Sequence, residues 1–209
     1  ADGHGEFSPQ RVQTARWTSP VTNRLLLEAG YGSTYYEWGG KEVADNQTRD
    51  LVQVIQILQP IAPGVTTPMR YRSQSWLNNR TTGSTWNAAA NYVTGSHSMK
   101  FGYQGNYWAD DREISVNSQA LQYTFVGAPG SGIPYTITQY ANGYNVNARA
   151  MQLSLYAQDQ WTIDRLTLQG GVRWDHPWSW FPEQVEPASP YFPGATFAKT
   201  DGVIGLNDI

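Results

Sequence analysis

Apolar and polar side chains alternate with a period of two from Met151 to Asp175, MQLSLYAQDQWTIDRLTLQGGVRWD. Met151, Leu153, Leu155, Ala157 and Trp161 point one way, and Gln152, Ser154, Tyr156, Gln158 and Gln160 the other. After Thr162-Ile163-Asp164 the alternation resumes, with Leu166, Leu168, Gly170, Val172 and Trp174 opposing Arg165, Thr167, Gln169, Arg173 and Asp175. Successive strand side chains lie on opposite faces, so the pattern predicts a hairpin with one apolar and one polar face. Each arm holds about 11 residues, more than a globular strand of about 5–6 and near the roughly 9–11 of a tilted strand crossing a bilayer.

The same pattern recurs upstream. Strands are predicted near 11–18, 24–36, 86–94, 98–109, 149–161 and 165–175. Leu25, Leu27, Ala29, Tyr31 and Tyr35 share one face against Arg24, Glu28, Gly30, Gly32 and Thr34; Met99, Phe101, Tyr103 and Tyr107 oppose Lys100, Gln104 and Asn106. Short turns fall near 19–22, 95–98 and 162–164. Long loops fill 38–85, 110–147 and 176–209, with local strands expected at Leu51–Leu58, Met69–Trp76, Leu121–Val126 and Tyr135–Tyr140, because long structureless loops are uncommon in compact domains. Short turns on one side and long loops on the other are the layout of an outer-membrane barrel, whereas a soluble sandwich spaces its turns more evenly. Trp17, Tyr92 and Trp161 sit beside the short turns, and Trp108 and Trp174 where strands enter long loops, as two interfacial belts would require. A sandwich with ordinary core aromatics is the competing reading.

Composition narrows the function. The net charge of −3, with 15% charged residues, gives no basic surface for nucleic acid. No cysteine is present, so thiolate metal sites and Cys nucleophiles are excluded. Mean hydropathy is −0.52, and no apolar run approaches the roughly 18 residues of a membrane helix. A barrel stays open, because its lumen face cancels its lipid face in such an average.

Several segments resemble the barrel of TonB-dependent outer-membrane receptors, nearest the Oar-like group with a carboxypeptidase-regulatory-like domain in front. They are WTSPVTNRLLLEAGYG (17–32), NYVTGSHSMKFGYQGNY (91–107), LYAQDQWTIDRLTLQGGVRWD (155–175) and FPGATFAKTDGVIGLNDI (192–209). The resemblance implies an all-β fold: antiparallel up-and-down strands of a partial outer-membrane β-barrel, about six spanning strands of the roughly 22 in plugged transporters, with long extracellular loops. It also implies nutrient uptake through a plugged lumen powered by an inner-membrane TonB complex, without catalysis or cofactor. No plug, TonB-box segment or C-terminal barrel signature is found, so the chain is expected to be an internal piece of one barrel domain.

On this reading Leu25, Leu27, Met99, Phe101, Leu153, Leu155, Leu166, Leu168 and Val172 face lipid, and Glu28, Gln104, Gln158, Gln169 and Arg173 face the lumen. Lysine or arginine at Leu155 or Leu168 is expected to cost about 2–4 kcal/mol at the bilayer midplane. The partners implied are outer-membrane lipid and the remainder of the barrel and plug, with the TonB complex only for the intact protein. A second reading makes the piece a subunit of an extracellular or surface fibre, pairing its open strand edges with copies of itself. A third, secreted glycan-binding protein rests on loop aromatics (Trp76, Tyr123, Tyr135, Tyr140, Tyr144, Trp178, Trp180). Asp110, Asp111 and Glu113 are a weak Ca²⁺ candidate whose spacing matches no calcium loop. His4, His97 and His176 are isolated, without a nucleophile elbow. Asn46 and Asn79 head glycosylation sequons.

Overall fold

The computed structural model describes residues 3–45, 47–57, 68–128, 130–141 and 143–202. Asn46, Leu58, the His4 side chain and residues 203–209 of the third loop lie outside the described residues. Seven strands form one antiparallel sheet in the order β1 (Gly3–Pro20), β2 (Leu25–Glu42), β5 (Trp76–Thr94), β6 (His97–Ser115), β9 (Tyr144–Ile163), β10 (Leu166–Phe181) and β13 (Thr200–Asp201). Sequence neighbours pair in register, as the up-and-down expectation requires.

Three tight turns set that register. In the first, the Thr22 hydroxyl accepts hydrogen bonds from the amides of Arg24 and Leu25 at 3.1 and 3.0 Å. In the second, Thr94 pairs with His97 and Gly95 takes φ of 48° at the first central position, as a type II′ hairpin needs. In the third, Ile163 pairs with Leu166 around Asp164, whose φ is 50°. Asp tolerates this left-handed conformation better than most residues. The third turn is therefore Asp164-Arg165, one residue beyond its predicted place.

The six principal strands run 16 to 20 residues, well past the predicted boundaries. Their added halves fall in the expected loops. In β5 the added residues include Asn78, Asn79, Arg80, Thr81 and Thr82, polar on both faces. Alternation marks a strand only where one face is apolar; here backbone pairing and Thr-rich β-propensity hold the strand instead.

The loops carry a second sheet in the order β4 (Met69–Tyr71), β3 (Gln53–Ile57), β7 (Leu121–Val126) and β8 (Ile133–Gln139). All four expected local strands are present: β7 with the expected bounds, β8 beginning two residues earlier and ending one earlier, and β3 and β4 shorter than expected. β3 and β7 pair parallel, joining the loop between β2 and β5 to the loop between β6 and β9. Gln53, Val54 and Gln56 are buried, and the Ser75 hydroxyl donates to Gln53 Oε1 at 3.1 Å. The third loop carries a small hairpin of β11 (Gln184–Glu186) and β12 (Ala195–Phe197).

Candidate functional site

Paired residues of antiparallel strands share a face, so the register sorts every predicted site residue. One row reads Trp17, Ala29, Ala88, Tyr103, Leu155 and Trp174 across β1 to β10. The next row toward the turns reads Leu27, Ala90, Phe101, Ala157 and Val172, and the one after it Leu25, Tyr92, Met99 and Asp159. Leu153 belongs to this face with Trp86 and Gly105; Trp161 and Leu168 lie beside the turns with His97, and Leu166 pairs with Ile163. Val172 is 67% exposed and Leu155 54%, so the apolar face has no cover within the described residues.

Polar groups on this face are matched locally. Trp86 lies across Gly105, where a Cβ would overlap its indole, and its Nε1–H donates to the Tyr103 hydroxyl at 3.1 Å. His97 Nδ1 meets Asp159 Oδ2 at 2.6 Å and stacks on Trp161 at 5.5 Å. His176 lies between Trp174 and Trp178, at ring distances of 5.6 and 5.1 Å. The partners of His97 are thus a carboxylate and an indole, and His176 stacks among strand tryptophans.

Glu28, Gln104, Gln158, Gln169 and Arg173 fall on the opposite face, and Arg173 and Gln104 join a network there that the alternation alone did not reveal. The Arg173 guanidinium donates to Gln104 Oε1 at 2.9 Å, Ser154 Oγ at 2.8 Å and Asp175 at 2.8 and 3.0 Å. Gln152 donates to Asp175 at 3.1 Å, and Asn106 to Gln152 at 3.3 Å. Farther along, Asn91 donates to Glu28 at 2.7 Å and Lys100 lies 3.7 Å from it. Tyr156 lies across Gly102, where a Cβ would overlap its ring.

Two sequence expectations are corrected. Trp108 pairs with Gly83 and Ala150, in the row that follows Gln104 and Asn106, so it belongs to the polar face and not to an aromatic belt on the apolar one. Asp110, Asp111 and Glu113 lie within β6, not in a loop. Alternation turns Asp110 and Asp111 to opposite faces, and each acid meets a guanidinium: Asp110 with Arg112 at 2.7 Å, Asp111 with Arg149 at 2.7 Å, Glu113 with Arg80 at 3.8 Å. They do not converge on a cation, and no metal-holding acid cluster occurs among the described residues. Asn79 is only 4% exposed, so its sequon is inaccessible in the fold.

The loop aromatics mostly contact protein. Trp76 sits under Arg49, Trp180 beside Tyr107 and Lys199, and the Tyr140 hydroxyl donates to Gln122 at 2.7 Å. Tyr123 and Tyr135 instead line a small hollow beside β8. At the loop end, Glu42 is held below its ordinary pKa of 4.5, first by its hydrogen bond from Arg49. Burial pushes Glu186 upward.

The turn positions yield the strand tilt. Measured from the row containing Trp17, the last paired residue toward the turn is three positions away in the first hairpin (Ala29 to Leu26), six in the second (Ala88 to Thr94) and eight in the third (Leu155 to Ile163). With the turns at one level, a stagger of five residues over four strand spacings is a rise of roughly 16 Å across roughly 19 Å. That is a tilt of roughly 40°, inside the 35–45° of transmembrane barrels.

A family model described as an outer membrane beta barrel domain matches residues 1–200. No curated protein and no solved structure matches the chain.

Proposed function

Starting from the outer membrane beta barrel domain family, to which this chain belongs, we propose that it forms wall strands of a TonB-dependent receptor that imports a scarce nutrient. The family places the chain in the bacterial outer membrane. The observation that carries the finer reading is the two-sided sheet: one uncovered apolar face, one hydrogen-bonded polar face, and long loops at one end only. The apolar face meets lipid. The Arg173–Asp175–Gln104 network lines an aqueous lumen, where further barrel strands and a plug complete the transporter. The loop sheet of β3, β4, β7 and β8 stands on the outer surface. No bond is made or broken; the work of transport comes from the inner-membrane complex acting on the plug.

The edges favour one alternative. Among the described residues β1 has no outer neighbour, and β10 is covered only at Trp180 and Phe181. Unpaired backbone is not tolerated in lipid, so further strands cover these edges: more of a longer chain in the receptor reading, copies of this one in a fibre. The native polypeptide decides between them. A detergent-dependent species several times heavier than 23.4 kDa supports the receptor; ordered, detergent-free polymers of a 23.4 kDa chain refute it.

A further inference from the structure

The apolar face carries a shallow trough, open along its length, of about 720 Å³. Its lining comes from all six long strands and follows the two adjacent rows that contain Trp17, Ala88 and Trp174 and Ala90, Phe101 and Val172. It is therefore about six strands long, roughly 24 Å at 4.8 Å per spacing, and two residues wide. Alanines at 29, 88, 90 and 157 lower its floor, while Trp17, Phe101 and Trp174 stand above it. The face turns no charged side chain toward it in these two rows. The Trp86 N–H is already taken up by the Tyr103 hydroxyl, so the indole needs no partner from outside.

We propose that this trough is a binding site for one phospholipid acyl chain. The inference rests on the reading of this face as lipid-facing. Close packing leaves no empty space of this size beside lipid, since its lining would lose its dispersion contacts. What fills it must be uncharged, long and narrow, and present at that depth, which describes an acyl chain. At a tilt of roughly 40° the two rows cross the turn-side half and centre of the apolar band, so the chain belongs to a lipid of the leaflet on the short-turn side. Because lipid tails are as apolar as the wall, selection comes from shape: the seated chain exchanges more slowly than its neighbours without a large gain in affinity.

The test uses the full-length protein in nanodiscs of one phosphatidylethanolamine species, released for native mass spectrometry. The wild type should retain one phospholipid per chain. Ala88→Phe/Ala90→Phe fills the floor and should abolish retention; Leu168→Phe, on the same face outside the trough, should leave it unchanged. Retention by Ala88→Phe/Ala90→Phe equal to wild type, or none in the wild type, overturns the proposal. Ala157→Leu is a milder filler, read the same way if the double variant does not fold. Acyl-brominated lipid supplies the separating control. Quenching of Trp fluorescence without retained lipid sinks the trough alone, whereas no quenching removes the lipid-facing reading beneath it and the proposal with it.

Discussion

Arginine at Leu155 is the sharpest test of which face meets lipid. Leu155 lies eight residues from the last pair of its hairpin, Val172 six and Leu168 two. At about 3.3 Å per residue and a tilt of roughly 40°, these stand about 20, 15 and 5 Å above the turn level. An apolar band about 25 Å tall that begins at the Trp161–Leu168 row has its midplane near 17 Å, between Val172 and Leu155. Leu155→Arg should then cost about 2–4 kcal/mol, and Leu168→Arg, near the interface, about 0–1 kcal/mol. The sequence-based expectation of the larger cost at Leu168 is lowered accordingly. Gln158→Arg, on the polar face three residues from Leu155, should cost close to nothing. Equilibrium guanidinium unfolding of the full-length protein in liposomes reads these differences, provided the m-value is unchanged. Equal losses at Leu155 and Leu168, or a loss at Gln158 as large as at Leu155, would refute the assignment of faces and depth.

Gly105→Leu should lose about 1–3 kcal/mol by overpacking against Trp86, and adding Trp86→Ala should recover part of it in a double-mutant cycle. Arg173→Met removes charge-assisted hydrogen bonds to Asp175, Ser154 and Gln104 and should lower the guanidinium midpoint in the same unfolding assay; an unchanged midpoint would mean that the network is idle. The Glu42 carboxyl is held below 4.5 by Arg49, so its stabilisation is full above the unfolded value and is lost as pH falls through the lower folded one. Hydrogen exchange of the Ser118 amide, which donates to the Arg49 carbonyl, should therefore speed up in acid below about 4.5, beyond its intrinsic rate. The same amide in Glu42→Gln should show no such step.

The half of the sheet nearest the short turns is legible from residue order, because an uncovered apolar face on one side and polar contacts on the other follow a strict period of two. Leu25, Phe101, Leu155 and Val172 announce themselves in this way. Above that zone the signal fades. Asn79 and Thr81 are buried while Arg80 between them is exposed, yet all three are polar, so periodicity had nothing to register. Trp108 misled for a related reason: an aromatic at a strand end suggests a belt, but parity counted from Lys100 and Gln104 already places it on the polar face. The clustered acids 110–113 look like a site in one dimension and are separated by the pleat in three. What residue order could not supply is pairing between loops, since a parallel contact between Gln53–Ile57 and Leu121–Val126 leaves no local trace.

That parallel pairing has a mechanical consequence. Two surface loops that spring from different hairpins share one backbone ladder, so neither can swing alone without breaking it. Any force that bends the segment around β3 must carry β7 and β8 along, so the two loops move as a single plate. Length changes in one loop are then constrained by the other, because an insertion that shifts β3 by one residue would also turn the wrong side of Gln53 and Gln56 toward their buried neighbours.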